Sequence, residues 1–188
     1  QDNDGLLIEE NYFLSQRQPG VDNSYAVQIT GGTERDVTVQ RNLFYRIQKR
    51  SLRASAVAGH ESIVVRDNTF ADPDQGSCLV EQSGGFSGYT YKGNRYFSSA
   101  AAGSWFCIGG TGTLDAWKAA SGEVDAVALP ALTFPDPDRS IETYAATLGL
   151  GSTLQSYLDV ALRQTRLNYD AHLGAPAIND YIRAGFAP

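Results

Sequence analysis

Apolar and polar residues alternate in short runs along most of the chain, and the runs recur. Four of them align: Leu7-Ile8-Glu9-Glu10-Asn11-Tyr12-Phe13, Thr38-Val39-Gln40-Arg41-Asn42-Leu43-Phe44, Val64-Val65-Arg66-Asp67-Asn68-Thr69-Phe70 and Thr90-Tyr91-Lys92-Gly93-Asn94-Arg95-Tyr96. Each ends in asparagine, any residue, then an aromatic. The asparagines stand 31, 26 and 26 residues apart (42 − 11, 68 − 42, 94 − 68). A second series, Tyr25–Gly31, Ser55–Gly59, Leu79–Gly84 and Trp105–Gly109, supplies short strands that each end in glycine. These glycines are 28, 25 and 25 residues apart (59 − 31, 84 − 59, 109 − 84). Two series with one period imply a coil that carries at least two strands.

A single coil of this length cannot bury its own apolar face, whereas stacked coils can. The alternation points valine, isoleucine and phenylalanine inward and polar residues outward. The asparagine is expected at a corner, in the left-handed conformation, with its amide bonding the next asparagine in a ladder. The aromatic two residues later is expected to stack on its counterparts inside. A β-sandwich would explain the strands but not the repeated Asn-x-aromatic. The predicted fold is an all-β solenoid, a right-handed parallel β-helix of about four rungs by the repeat count, with a C-terminal α-helical cap.

The pattern changes after the last glycine strand. Trp117 is expected to cover the last rung, and the prolines around Leu129–Pro137 to end strand pairing. Ser140 reads as the cap of a helix carrying Ile141, Tyr144 and Leu148, stopped by Gly149 and Gly151. Ser152-Thr153-Leu154-Gln155 has capping-box spacing ahead of an apolar stripe through Leu154, Leu158, Ala161, Leu162 and Thr165. Pro176 suits the first turn of a third helix that ends at Gly185. The division expected is 1–127 for the coils and 128–188 for a linker and helical cap lying over the last rung.

Composition narrows the function classes. A formal charge of −6 argues against nucleic acid as the main partner. No apolar run is long enough to span a membrane. Cys78 and Cys107 are one coil apart, 29 residues (107 − 78). That leaves open either one bridge or two buried free thiols, and the simpler reading takes them as small buried hydrophobes. Gln1 as first residue, with no methionine anywhere, reads as a mature or trimmed product. The strand-like start leaves an N-terminal edge for upstream rungs, a second chain or head-to-tail stacking to cover.

The periodic Asn-x-aromatic coils resemble the right-handed parallel β-helix proteins of the pectate-lyase-like superfamily over about residues 5–135. The stretch with Trp117, Gly122-Glu123-Val124-Asp125 and Phe134-Pro135-Asp136-Pro137 resembles the segment after the final rung in secreted bacterial members. The resemblance implies a secreted or cell-surface bacterial protein acting on polysaccharide, as lyase or glycoside hydrolase, some members using calcium. The alternative is a non-catalytic structural, carbohydrate-binding or self-assembling module. No residue here matches a family catalytic motif, so no role carries over.

The candidate chemistry lies in a basic run. Arg41, Arg46, Lys49, Arg50 and Arg53 occupy thirteen positions with no acid among them, and His60 follows. Arginine pairs uronate carboxylates bidentately. A lyase could neutralise such a carboxylate with Arg50 or Arg53 and remove the C5 proton with Lys49 or His60. Arg41, Arg46 and Tyr45 are the candidate substrate-binding residues. The plain alternative is a solvated basic turn. Asp67, Asp72, Asp74 and Glu81 are carboxylates for a hydrolase or for calcium, although Asp72-Pro73-Asp74 reads first as a turn. Tyr12, Tyr25, Tyr45, Tyr89, Tyr91, Trp105 and Trp117 divide between core packing and sugar-stacking faces.

Overall fold

The computed structural model describes residues 3–15, 24–72 and 78–186. The chain divides into two compact units, Gln1–Leu132 and Thr133–Pro188. The first unit is a parallel β-solenoid. Its first level holds β1 (Asn3–Asp4), β2 (Leu7–Glu9), β3 (Tyr12–Leu14) and β4 (Tyr25–Ile29). The second holds β5 (Glu34–Arg35), β6 (Thr38–Gln40), β7 (Leu43–Tyr45) and β8 (Arg50–Ser55). The third holds β9 (Ile63–Arg66), β10 (Thr69–Asp72) and β11 (Val80–Ser83), and the fourth β12 (Tyr89–Lys92), β13 (Arg95–Ser98) and β14 (Phe106–Cys107). A short β15 (Thr111–Gly112) turns back on β14, and β16 (Val127–Ala128) extends the β13 edge.

Equivalent strands of successive levels pair in parallel, giving sheets β2-β6-β9-β12, β3-β7-β10-β13-β16 and β4-β8-β11-β14, the last of them extended by antiparallel β15, with β1-β5 as a short fourth. Four levels separated by three steps make about three turns. The repeat read from the sequence is this stacking. One inward row runs Val27, Leu52, Val80 and Phe106 in register across its sheet. The aromatics of the Asn-x-aromatic motifs form a column: Phe13 on Phe44 at 4.8 Å, Phe44 on Phe70 at 4.8 Å and Phe70 on Tyr96 at 5.4 Å between ring centres. Trp117, fully buried, closes the column through Phe106 at 4.8 Å.

The corners depart from expectation in one respect. The left-handed residue is not the asparagine but the one before it: Glu10, Arg41, Asp67 and Gly93 have φ of 57°, 52°, 56° and 64°. The preceding residue takes the bend, which frees the asparagine to point its amide along the stack. Asn42 Nδ2 donates to Asn68 Oδ1 at 3.0 Å, and Asn68 Nδ2 to Asn94 Oδ1 at 3.0 Å. The same Nδ2 groups also reach back to the carbonyls of Ile8 and Val39, at 2.9 Å each. Glu123, after Gly122 at φ 70°, stands where a fifth asparagine would.

A helix that the sequence reading missed, α1 (Leu114–Ser121), carries Trp117 to the end of the solenoid core. Thr113 caps it by accepting from Ala116 N. The eight residues are too few for helical periodicity to stand out beside the strand runs. The second unit holds α2 (Ile141–Thr147), α3 (Leu154–Ala161) and α4 (Ala175–Ala184). Ser140 and Pro176 occupy the helix starts foreseen for them. The α3 capping box is Thr153 with Ser156, one residue later than the Ser152–Gln155 pair, because the side chain that meets the third backbone N–H is that of Thr153. Tyr144, Ala145 and Tyr157 form this unit's core.

Candidate functional site

In the sheet β4-β8-β11-β14 the strand alternation sets one row of side chains outward. Gln28 pairs with Arg53, Arg53 with Glu81, and Glu81 with Cys107. The basic residues here therefore lie in and beside a strand rather than on a turn. Leu52 and Ala54, both fully buried, hold β8 in the wall of the core and fix Arg53 on the opposite face.

Lys49, Arg50 and Arg53 come together around Tyr25 and Glu81. Arg50 Nε donates to Glu81 Oε2 at 3.1 Å, and Arg53 Nε to Glu81 Oε1 at 3.2 Å. Arg50 Nη1 also donates to the Lys49 carbonyl at 2.8 Å. The Arg53 guanidinium lies 5.1 Å from the Tyr25 ring centre, and the Lys49 ammonium 5.7 Å. Arg50 and Glu81 are largely buried, with side chains 17% and 23% exposed, so this pair is held more firmly than a surface ion pair. Beside it opens a groove of about 460 Å³ lined by Arg50, Glu81, Ser83, Cys107 and the Gly109–Thr111 turn.

Cys107 lines this groove and is bonded to Cys78. The simpler reading, two free buried thiols, is overturned. Stacking places the two residues on adjacent levels with Cα atoms 5.9 Å apart, within disulfide reach.

The other sequence candidates lie elsewhere. Arg41 sits at an asparagine corner and pairs with both Glu9 and Glu10 of the level before it. Arg46 stacks over Tyr45 at 4.9 Å, and Tyr45 itself is buried. His60 does not line the groove but is buried in the interior, its Nδ1 3.0 Å from the Tyr89 hydroxyl. Tyr89 donates to the Ser55 carbonyl at 3.0 Å, so His60 Nδ1 is the donor to Tyr89. The other ring nitrogen, Nε2, is buried with no partner among the described residues. Burial first, and Glu34 secondarily, push the Tyr89 hydroxyl well above its ordinary range against the lowering effect of the Ser55 bond.

Glu81, weighed as a hydrolase acid, is instead the shared partner of two arginines. The signal that could have found this is the coil period: Arg53 and Glu81 are 28 residues apart and adjacent in register. Asp72 ends β10 and is buried, and Asp74 lies outside the described residues. Among the described residues no three His, Cys, Asp or Glu side chains converge as a metal site. No helix among them is long and apolar enough to cross a membrane. No protein-family model matches the chain, and no curated protein or solved structure matches it either.

Proposed function

We propose that the chain is the C-terminal part of a secreted bacterial β-helix protein that degrades an acidic polysaccharide, as lyase or glycoside hydrolase. The polymer would lie along the outer face of β4-β8-β11-β14. The observation that carries this reading is the gathering of Lys49, Arg50 and Arg53 around Tyr25 beside an open groove. A uronate carboxylate would compete with Glu81 for the two guanidinium groups, and the Tyr25 ring offers an apolar face to the sugar. In the lyase form Arg50 and Arg53 neutralise the carboxylate and Lys49 takes the C5 proton, the C4–C5 double bond forming as the C4–O bond breaks and the leaving oxygen takes up a proton from water. His60, turned to Tyr89 in the interior, has no part in it. The disulfide fits an oxidising, extracellular setting.

Upstream rungs or a second chain would cover the first level. Leu7 is 52% exposed there, and among the described residues nothing donates to Asn11 Oδ1. Head-to-tail stacking is the weaker choice, because the far end of the ladder finishes at a carboxylate already holding its donors.

A second reading, a binding module without catalysis, is favoured by Glu81, which already occupies both arginine Nε groups. Incubation with a panel of acidic and neutral polysaccharides separates them. Unsaturated-uronate absorbance that disappears in Lys49→Ala and Arg50→Ala supports a lyase. Reducing ends without that absorbance indicate hydrolysis. Binding of an acidic polymer without turnover, lost in Arg50→Ala, selects the module. No binding and no turnover would sink both.

A further inference from the structure

At the end of the solenoid a second pocket, of about 340 Å³, is lined by Ala102, Trp105, Thr113, Leu114, Asp115 and Ala128. None of these residues belongs to the basic groove.

Trp105 is held from two sides. Its indole N–H donates to the Ala100 carbonyl at 3.0 Å, and its own carbonyl accepts from Leu79 N at 2.8 Å. With the N–H committed to the backbone, the ring offers the pocket only its apolar carbons, in a fixed orientation. The segment beside it, Ala100-Ala101-Ala102-Gly103, has no side chain longer than a methyl group to cover that ring. A Cβ built on Gly103 would meet nothing within 4 Å.

Asp115 supplies the polar contrast. The cap of α1 is Thr113, whose Oγ1 takes the Ala116 N–H at 3.2 Å, so the Asp115 carboxylate is not used up as the cap. Among the described residues it accepts no hydrogen bond and joins no ion pair, although Lys118 follows one turn later. A rigid apolar platform beside an uncommitted carboxylate suits a ring with an apolar face and a rim of hydroxyl donors.

We propose that the Trp105 pocket binds an uncharged sugar ring, with the indole as its platform and the Asp115 carboxylate accepting from its hydroxyls. A uronate is disfavoured here because its carboxylate would face Asp115. The pocket thus has the opposite charge preference to the basic groove, and the inference stands whether or not that groove binds anything.

The test is calorimetric titration of the whole chain with cellohexaose, xylohexaose, mannohexaose and a galacturonic acid hexamer. At least one neutral sugar should bind, and the galacturonate should bind this pocket more weakly. Trp105→Ala should weaken the neutral sugar by about ten-fold or more. Ala102→Leu, which fills the pocket and leaves the platform in place, should weaken it likewise, with thermal unfolding verifying that both variants are folded. Asp115→Asn should narrow the gap between neutral and acidic sugars. Arg50→Ala should leave the neutral sugar unaffected, which separates this pocket from the basic groove. Failure of every neutral sugar to bind, or equal binding by folded Trp105→Ala, would overturn the proposal.

Discussion

Asn94 Nδ2 donates to Glu123 Oε1 at 2.7 Å, and through this bond a carboxylate ends a ladder of carboxamides. The same oxygen accepts Asn94 N at 3.2 Å, while Oε2 accepts the Tyr96 hydroxyl at 2.8 Å and Trp117 Nε1 at 2.6 Å. Four donors converge on one buried side chain that only a carboxylate can satisfy, since it alone offers acceptors on both oxygens. Glu123→Gln keeps the shape but turns an NH2 group toward two of those donors. Its expected effect is a loss of about 3 kcal/mol in urea unfolding, the scale of buried donors left unpaired. Unchanged stability would mean that the donors find other partners.

Position along the ladder should set the effect of losing an asparagine. Asn68 accepts from Asn42 N and Nδ2 and donates to Val39 O and Asn94 Oδ1, all in the interior. Asn11 is exposed at the open end. Asn68→Ala should therefore lower stability by about 2–4 kcal/mol and Asn11→Ala by less than about 1 kcal/mol. Equal losses would show that the ladder acts as one unit rather than as separate bonds.

The coil period was legible in the sequence because it rests on short-range alternation and on four copies of one motif. The aromatic column from Phe13 to Tyr96 is its direct consequence. The features that stayed hidden depend on which residues face each other across levels. Arg53 meets Glu81 and Cys78 meets Cys107 only once the register is fixed. His60 sits in no repeated motif, so nothing in the pattern distinguished an inward histidine from a groove residue. The left-handed corners fell one position early: Glu10 and Arg41 carry no such signal, and the asparagine beside them drew the assignment away from Asp67 and Gly93, which do.

The disulfide closes a loop across one coil, its two ends 29 positions apart in sequence. By chain entropy such a crosslink stabilises by about 3–4 kcal/mol. Cys78→Ser together with Cys107→Ser should lower the unfolding free energy by about that amount, and dithiothreitol should lower the melting temperature of the native chain but not of the double variant. A melting temperature indifferent to reductant would show that strand pairing alone closes the coil.

Alkaline pH should destabilise the solenoid through its interior tyrosines. Burial holds the hydroxyls of Tyr89, Tyr91 and Tyr96 above their ordinary value of 10.0. Tyr91 is further raised by Tyr89 and Glu123, and Tyr96 by Glu123. In the folded chain these groups keep their protons, whereas in the unfolded chain they lose them as pH passes the ordinary value. Below that pH both states bind the same protons and stability does not depend on these groups. Above it the unfolded state binds fewer, so stability falls, by up to about 1.4 kcal/mol per pH unit for each tyrosine. The urea midpoint should hold steady from about pH 8 to 9.5 and drop steeply toward about pH 11, with tyrosinate absorbance rising as the chain unfolds. Tyr91→Phe removes one of the three and also the bond from its hydroxyl to Gln82 Oε1. It should be less stable by about 1 kcal/mol at neutral pH and yet show a shallower alkaline slope. A slope equal to that of the native chain would mean that Tyr91 ionises without unfolding, against the burial that surrounds it.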